Sequence, residues 1–333
     1  MNRAAAGLLT VGVMLFFAVL ASQGLPTVLA TLGMAGWGLV LVALFHVVPL
    51  VLDAAALRAL FDGRAKVGSL RDALLARWVG ESANSLMPAG QIGGPVLMSR
   101  HLAQRGIPTG EAVAAVTVST TLQAVGQILF ALLGVVLLGL RATHFSRSAL
   151  GSSVMVASGL LALQVAGFYY LQKRGLFGRL MRTAGRFAGK RDWTHWQTQA
   201  ESIDRAVAQS YARGGAVTAS FLLSLIAWLV GTGEVCLILD FLHRPVGLSD
   251  AMMIESLGQG IRGAGFFIPG ALGVQEGGYL LLAPLAGLPP DIALAVSLAK
   301  RAREILLGLP GLIYIHWSER GWRRRVASAA VRE

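Results

Sequence analysis

The stretch N84-SLMPAGQIGGPVLMSRHLAQRGIP-108 decides the reading of this chain, because its pattern returns as A264-GFFIPGALGVQEGGYLLLAPLAGLP-289. Pro88 pairs with Pro269, Gly106 with Gly287 and Pro108 with Pro289; 269−88, 287−106 and 289−108 all equal 181. In each copy a Pro/Gly-rich stretch interrupts an apolar run, and an apolar helical pattern resumes after x-Gly-x-Pro. Paired Gly/Pro-broken apolar segments in the two halves of a membrane protein point to a transporter-type binding site near the bilayer midplane.

Composition agrees with a membrane setting. Of 333 residues, 55% are hydrophobic and 14% charged, against roughly 25% charged in soluble domains. Mean hydropathy is +0.63. A helix needs about 20 apolar residues to cross the hydrocarbon core. The candidate spans are Leu8–Leu20, Trp37–Leu60, Ala112–Leu140, Ser152–Leu171, Ala216–Leu242 and Ala293–Ile315. The first shows no small-residue cleavage site before a polar mature domain, so it is expected to be a retained helix rather than a signal peptide. The one cysteine, Cys236, lies inside an apolar run. That excludes an intramolecular disulfide and a cysteine-based metal site.

Net charge is +12, and its placement sets an expected topology. Basic residues cluster at Arg58–Arg71, at Arg100 and Arg105, along Lys173–Arg213 and at Arg320–Arg325. The positive-inside rule puts those segments and both termini in the cytoplasm. The first broken segment, about Asp72–Gly106, has bases at both ends and should enter and leave from the cytoplasm. The second, about Asp250–Pro289, has few and should enter from outside. Two re-entrant hairpins from opposite faces are what an inverted repeat predicts, with Pro88–Gly94 and Pro269–Gly273 facing each other in the interior, since unpaired backbone is tolerated at that depth only inside protein or beside water. The high isoelectric point does not read as nucleic-acid binding, because the bases flank apolar spans without an interleaved aromatic platform.

Between the halves, Lys173–Lys190 carries Leu176, Phe177, Leu180, Met181, Ala184 and Phe187 at helical spacing, with Arg and Lys on the other face. That pattern predicts an interfacial helix on an anionic leaflet over about 173–191. Asp192–Gly214 is more polar and reads as a short cytoplasmic helix pair.

Charges inside apolar runs are expensive to bury and point to function. The sharpest group is Lys300, Arg301, Arg303 and Glu304. With a helix starting near Pro289, Lys300 lies roughly 16 Å along it, about halfway across the core. Lys300 and Glu304 are four residues apart and can pair. Glu276, in GVQEGG, would sit at a helix N-terminus, where the dipole favours its ionised form. Arg262 precedes the second break in GQGIRGAG. Asn84, Gln91 and Gln275 offer neutral hydrogen bonds. Arg262, Glu276, Lys300, Arg303 and Glu304 are therefore expected to line one polar cavity, together with Asn84, Pro88, Gln91, Gly93, Gly94, Pro269, Gly273 and Gln275. Glu81, Glu234, Glu255, Asp53 and Asp240 read as structural, the two aspartates as interfacial. No HExxH, GxSxG, P-loop or CxxC occurs, and the six histidines are scattered. No catalytic residue, cofactor or metal is expected.

The two motifs, N-x-L-x-P-A-x-x-x-G-G (Asn84–Gly94) and P-G-x-x-G-x-Q-E-G-G (Pro269–Gly278), resemble the flippase-like membrane family that includes the transmembrane region of lysylphosphatidylglycerol synthases. SLMPAGQIGGPVLMSR, GQGIRGAGFFIPGALGVQEGGYLLL and SLAKRAREILLGLPGL are similar to the subfamily associated with hopanoid biosynthesis. The resemblance implies lipid translocation, inverted repeats with re-entrant helices, and residence in the bacterial inner membrane. The full synthases continue into a soluble aminoacyl-transferase domain; here only a short basic stretch follows Trp317, so that activity is not implied. The family also often carries acids in the helix after the first motif, where this chain has Ser119 and Gln123.

The expected architecture is a single all-α polytopic membrane domain over 1–333, with about six full spans and two re-entrant hairpins in an inverted repeat. Its parts are a half of about 1–172, an amphipathic connector at 173–213, a second half of about 214–317 and a basic cytoplasmic tail at 318–333. The expected function is movement of a membrane lipid, a hopanoid or phospholipid, between leaflets or to a lipid-biosynthesis enzyme. A scaffold for lipid-synthesis enzymes and a membrane-embedded lipid-modifying enzyme are the alternatives.

Overall fold

The computed structural model describes residues 33–61, 69–87, 93–141, 165–187, 194–265 and 268–330, with isolated positions between. Among these, the regular elements are all helical. They are α1 (Gly38–Phe45), α2 (Val47–Ala59), α3 (Leu70–Leu86), α4 (Gly93–Gln104), α5 (Thr109–Arg141), α6 (Leu176–Phe187), α7 (Thr194–Ala212), α8 (Gly214–Phe241), α9 (Leu248–Ala264), α10 (Val274–Leu282) and α11 (Pro290–Ala330). Short 3₁₀ turns occupy Pro269–Ala271 and Ala283–Ala286.

Three stretches are long and apolar enough to cross a membrane: Gly38–Ala59, Thr109–Leu140 and Gly214–Phe241. They correspond to three of the six expected spans. Leu8–Leu20 lies outside the described residues, and so does much of Ser152–Leu171, of which residues 165–171 are helical. The sixth expected span lies within α11, 41 residues long. Its length suffices, but Lys300, Arg301, Arg303 and Glu304 fall in its middle, so packing rather than apolar composition holds that part.

The sequence repeat is also a repeat of elements. α4 starts at Gly93 and α10 at Val274, and 274−93 = 181; α5 starts at Thr109 and α11 at Pro290, and 290−109 = 181. Gly106 and Gly287, at the same offset, both take positive φ, +94° and +67°, a conformation that favours glycine. α3 and α9 are each 17 residues, short of a full crossing, and each folds back on the helix that follows. Reciprocal packing joins the halves: α5 lies on α9, while α11 lies on α3.

Local chemistry explains the breaks. Pro49 lacks an N–H, and its ring crowds the carbonyl four residues back, that of Phe45; the first span divides at that point, leaving His46 between α1 and α2. Ser69 caps α3, its hydroxyl accepting from Asp72 N at 3.1 Å. α3 ends at Leu86 and α4 begins at Gly93, so helix already covers Gly93 and Gly94, inside the expected break. Pro88 and Gln91 lie outside the described residues. In the second half α9 ends at Ala264 and α10 begins at Val274. Gly270 (φ +62°) comes so close to the end of α3 that a Cβ there would stand 3.3 Å from the Ser85 carbonyl oxygen.

The connector is two helices, α6 and α7. Asp204 of α7 accepts from Phe177 N at 3.0 Å and Gly178 N at 2.8 Å, capping the start of α6 from outside. Phe177 packs on protein, Leu180 is exposed, and the Phe187 side chain lies outside the described residues. The stretch expected to form a helix pair is, over residues 194–212, one helix.

Candidate functional site: a buried ion network where the hairpins meet

α11 carries a cation on each of several faces because Lys300, Arg301 and Arg303 are spaced one and two residues apart, about 100° per residue around the axis. Each finds carboxylates on different helices. Lys300 Nζ lies 2.8 Å from Glu255 of α9 and 4.0 Å from Glu234 of α8. Arg303 donates to Glu234 at 3.1 Å and to Glu81 of α3 at 3.0 Å. Arg301 donates from Nε to Glu276 at 3.0 Å and from Nη1 to Glu304 at 3.1 Å. Its Nη1 and Nη2 also reach the carbonyls of Gly270 and Ala271, at 2.6 and 3.2 Å. Arg262 of α9 completes the group, 2.6 Å from Glu304 and 2.8 Å from Gln275.

The five charged residues expected to share a site, Arg262, Glu276, Lys300, Arg303 and Glu304, thus lie in one network, and every one of them is paired. Among the described residues, the space beside Glu81 and Glu304, walled also by Leu50, Trp78, Ser82, Ser85, Leu307 and Gly308, is about 10 Å³, room for one water. Glu276 also caps its own helix, accepting from Gly273 N at 2.7 Å, and Gln275 donates to Ser297 at 3.0 Å. Asn84 accepts from Gly94 N at 2.9 Å, so it holds the start of α4. Gly94 stands where α3 and α4 cross, and Gly93 opens α4. Gly273, at φ +77°, precedes α10, and Pro269 opens the 3₁₀ turn whose carbonyls Arg301 binds.

Several network members were read from sequence as structural or went unnoticed. Glu81, Glu234 and Glu255 belong to the network itself. Tyr279 donates to Glu255 at 2.9 Å. His46 bridges Glu81 and Glu234, at 2.7 and 3.1 Å. One signal for His46 was present: Pro49 breaks an apolar span beside it. Asp53, expected at the interface, is instead a mostly buried partner of Arg77 at 2.8 Å, and Gln123 donates to it at 2.6 Å. Under the offset of 181, Asp53 corresponds to Glu234, Ser119 to Lys300 and Gln123 to Glu304. The first half therefore does carry a buried acid, supplied by α2; its α5 has a neutral Gln where α11 has Glu.

Three helices long and apolar enough to cross a membrane, packed around a buried ionic centre, define the class as a helical membrane protein. Residues 4–311 match the family described as Lysylphosphatidylglycerol synthase TM region. The match covers nearly the whole sequence, and the chain belongs to that family. No curated protein and no solved structure matches it.

Proposed function

We propose that this protein is a lipid translocase of the bacterial inner membrane, moving a hopanoid or related amphipathic lipid, with both termini in the cytoplasm. The observation that carries the reading is the ion network itself. It sits where two broken hairpins meet, and it includes bases able to receive an anionic or hydroxylated headgroup while the apolar body stays in lipid. The reading assigns no catalytic chemistry to the chain. In the inverted-repeat scheme the two hairpins are re-entrant from opposite faces, and translocation exchanges their contacts. Because the space at the network holds one water, a headgroup passes only when α3 and α11 separate along the face that joins Glu81 to Arg303.

The full pairing of the network favours a second reading, a non-transporting scaffold for lipid-biosynthesis enzymes. A leaflet-resolved assay in proteoliposomes separates them, using fluorescent phosphatidylglycerol and a labelled hopanoid. A translocase moves at least one probe, and Arg262→Ala or Glu276→Ala slows it while expression persists. A parent that moves neither probe leaves the scaffold; variants that express and transport like the parent make the network purely structural.

A further inference from the structure

The network's ion pairs link five carboxylates, Glu81, Glu234, Glu255, Glu276 and Glu304, to four basic side chains, Arg262, Lys300, Arg301 and Arg303. Among the described residues, four minus five leaves an excess of one negative charge, although each carboxylate touches a base. The adjoining Asp53–Arg77 pair is neutral in sum. An unmatched charge at this depth is among the most expensive features a membrane protein can carry. The remaining linked side chain is His46.

The ring geometry states the same requirement independently. Nε2 lies 2.7 Å from Glu81 Oε1 and Nδ1 lies 3.1 Å from Glu234 Oε2. A neutral imidazole has one N–H. Whichever nitrogen holds it, the other points a lone pair at an ionised carboxylate. Only the imidazolium donates to both. Arg303 Nη1 introduces the opposing pull: it lies 2.8 Å from Nε2 and 3.0 Å from Glu81 Oε1. With Nε2 protonated, Arg303 must direct its hydrogen to Glu81; with Nε2 bare, it can donate to the ring. Each protonation state thus favours a different hydrogen-bond arrangement among α2, α3 and α11.

We propose that His46 is a proton-binding site, and that its proton is the ion coupled to lipid movement. Protons reach it through Glu81, whose side chain is 34% exposed and borders the water-sized space. A proton from water adds to Glu81 Oε1 and passes to Nε2, while the Nδ1 hydrogen stays on the bond to Glu234; release reverses these steps. The groups facing the ring are Glu81 of α3, Glu234 of α8 and Arg303 of α11, with Lys300 4.0 Å behind Glu234 and Asp53 further along α2. Deprotonation restores the unmatched charge and removes the donor that ties α2 to α3, so the closed network loosens. The proton site stands on geometry and charge alone; its coupling to transport rests on the translocase reading.

Two measurements on the full chain test the site without transport. Nitrogen-15 spectra of the imidazoles in nanodiscs at pH 7.5 should show a doubly protonated ring that His46→Gln removes; a neutral His46 at that pH overturns the proposal. His46→Gln should lower the melting temperature, and adding Glu81→Gln should restore it by rebalancing charge. A double variant no more stable than His46→Gln overturns the charge argument. For coupling, fluorescent phosphatidylglycerol and the labelled hopanoid are each followed in proteoliposomes with and without an imposed pH gradient. The parent should respond to the gradient by several-fold, and the rebalanced double variant should lose that response. A probe that moves at one rate regardless of gradient overturns the coupling and leaves translocation intact. A parent with the imidazolium that moves no probe overturns the translocase reading and with it the coupling, while the proton site stands.

Discussion

Replacing Lys300 by Met should uncover how the network is held. The side chain is 2% exposed and close in volume to Met, so the substitution removes charge with little change in packing. Lys300 Nζ is 2.8 Å from Glu255 and 4.0 Å from Glu234. At an effective dielectric constant near 20, these attractions are about 6 and about 4 kcal/mol. The Met side chain avoids the desolvation of a buried ammonium, which offsets much of that sum. Glu255 keeps its neutral donors, Gln259 at 2.8 Å and Tyr279 at 2.9 Å. What remains is the cost of a broken buried pair, about 3–5 kcal/mol. A shift of roughly 2 °C per kcal/mol for a chain longer than 150–250 residues gives a melting temperature about 6–10 °C lower. Thermal unfolding of purified protein in detergent, followed by tryptophan fluorescence, reads this directly. Adding Glu255→Gln should recover most of the loss, because replacing both members of a buried pair is far cheaper than removing one. A single variant within about 1 °C of the parent, or a double variant worse than the single, refutes the reasoning.

Three further outcomes follow from particular contacts. Gly94→Ala should destabilise by about 1–3 kcal/mol, because its Cβ would meet the Gly80 carbonyl oxygen at 2.5 Å, whereas Gly258→Ala should be tolerated, its nearest contact being Tyr279 at 3.6 Å; paired thermal scans compare them. Arg301→Lys should cost about 2–4 kcal/mol, since lysine cannot reproduce the fork that holds Gly270, Ala271, Glu276 and Glu304 at once, and the same scans read it. Leu180→Cys in a Cys236→Ser background should react with an impermeant maleimide in detergent and resist it in vesicles, because that exposed leucine is expected to face lipid; equal labelling in both would remove α6 from the membrane surface.

Much of the helical frame was readable from the chain. Apolar runs located the three long spans, and the x-Gly-x-Pro pairs at one offset located the starts of α5 and α11, because Pro and Gly act locally on the backbone wherever they fall, whereas α4 begins at Gly93, inside the expected break. The chemistry of the 297–304 stretch was visible for a similar reason: four charges within an apolar run demand partners. The partners themselves were not readable. Glu81 and Arg303 are 222 residues apart and His46 and Arg303 are 257 apart, and no local pattern links them. Asp53 looked interfacial because it stands near a span end, until α3 brought Arg77 to it.

Sequence alone determined that the chain is an apolar helical protein with a duplicated, broken motif and charges that need burial in company, since propensity, proline geometry and hydropathy are properties of neighbouring residues. Only the tertiary structure decided which carboxylate meets which base, that a space for one water borders Glu81 and Glu304, and that His46 stands between two acids. Those facts depend on crossing points between helices distant in sequence, where a single glycine or proline sets how closely two backbones approach, and so which side chains come within hydrogen-bonding reach.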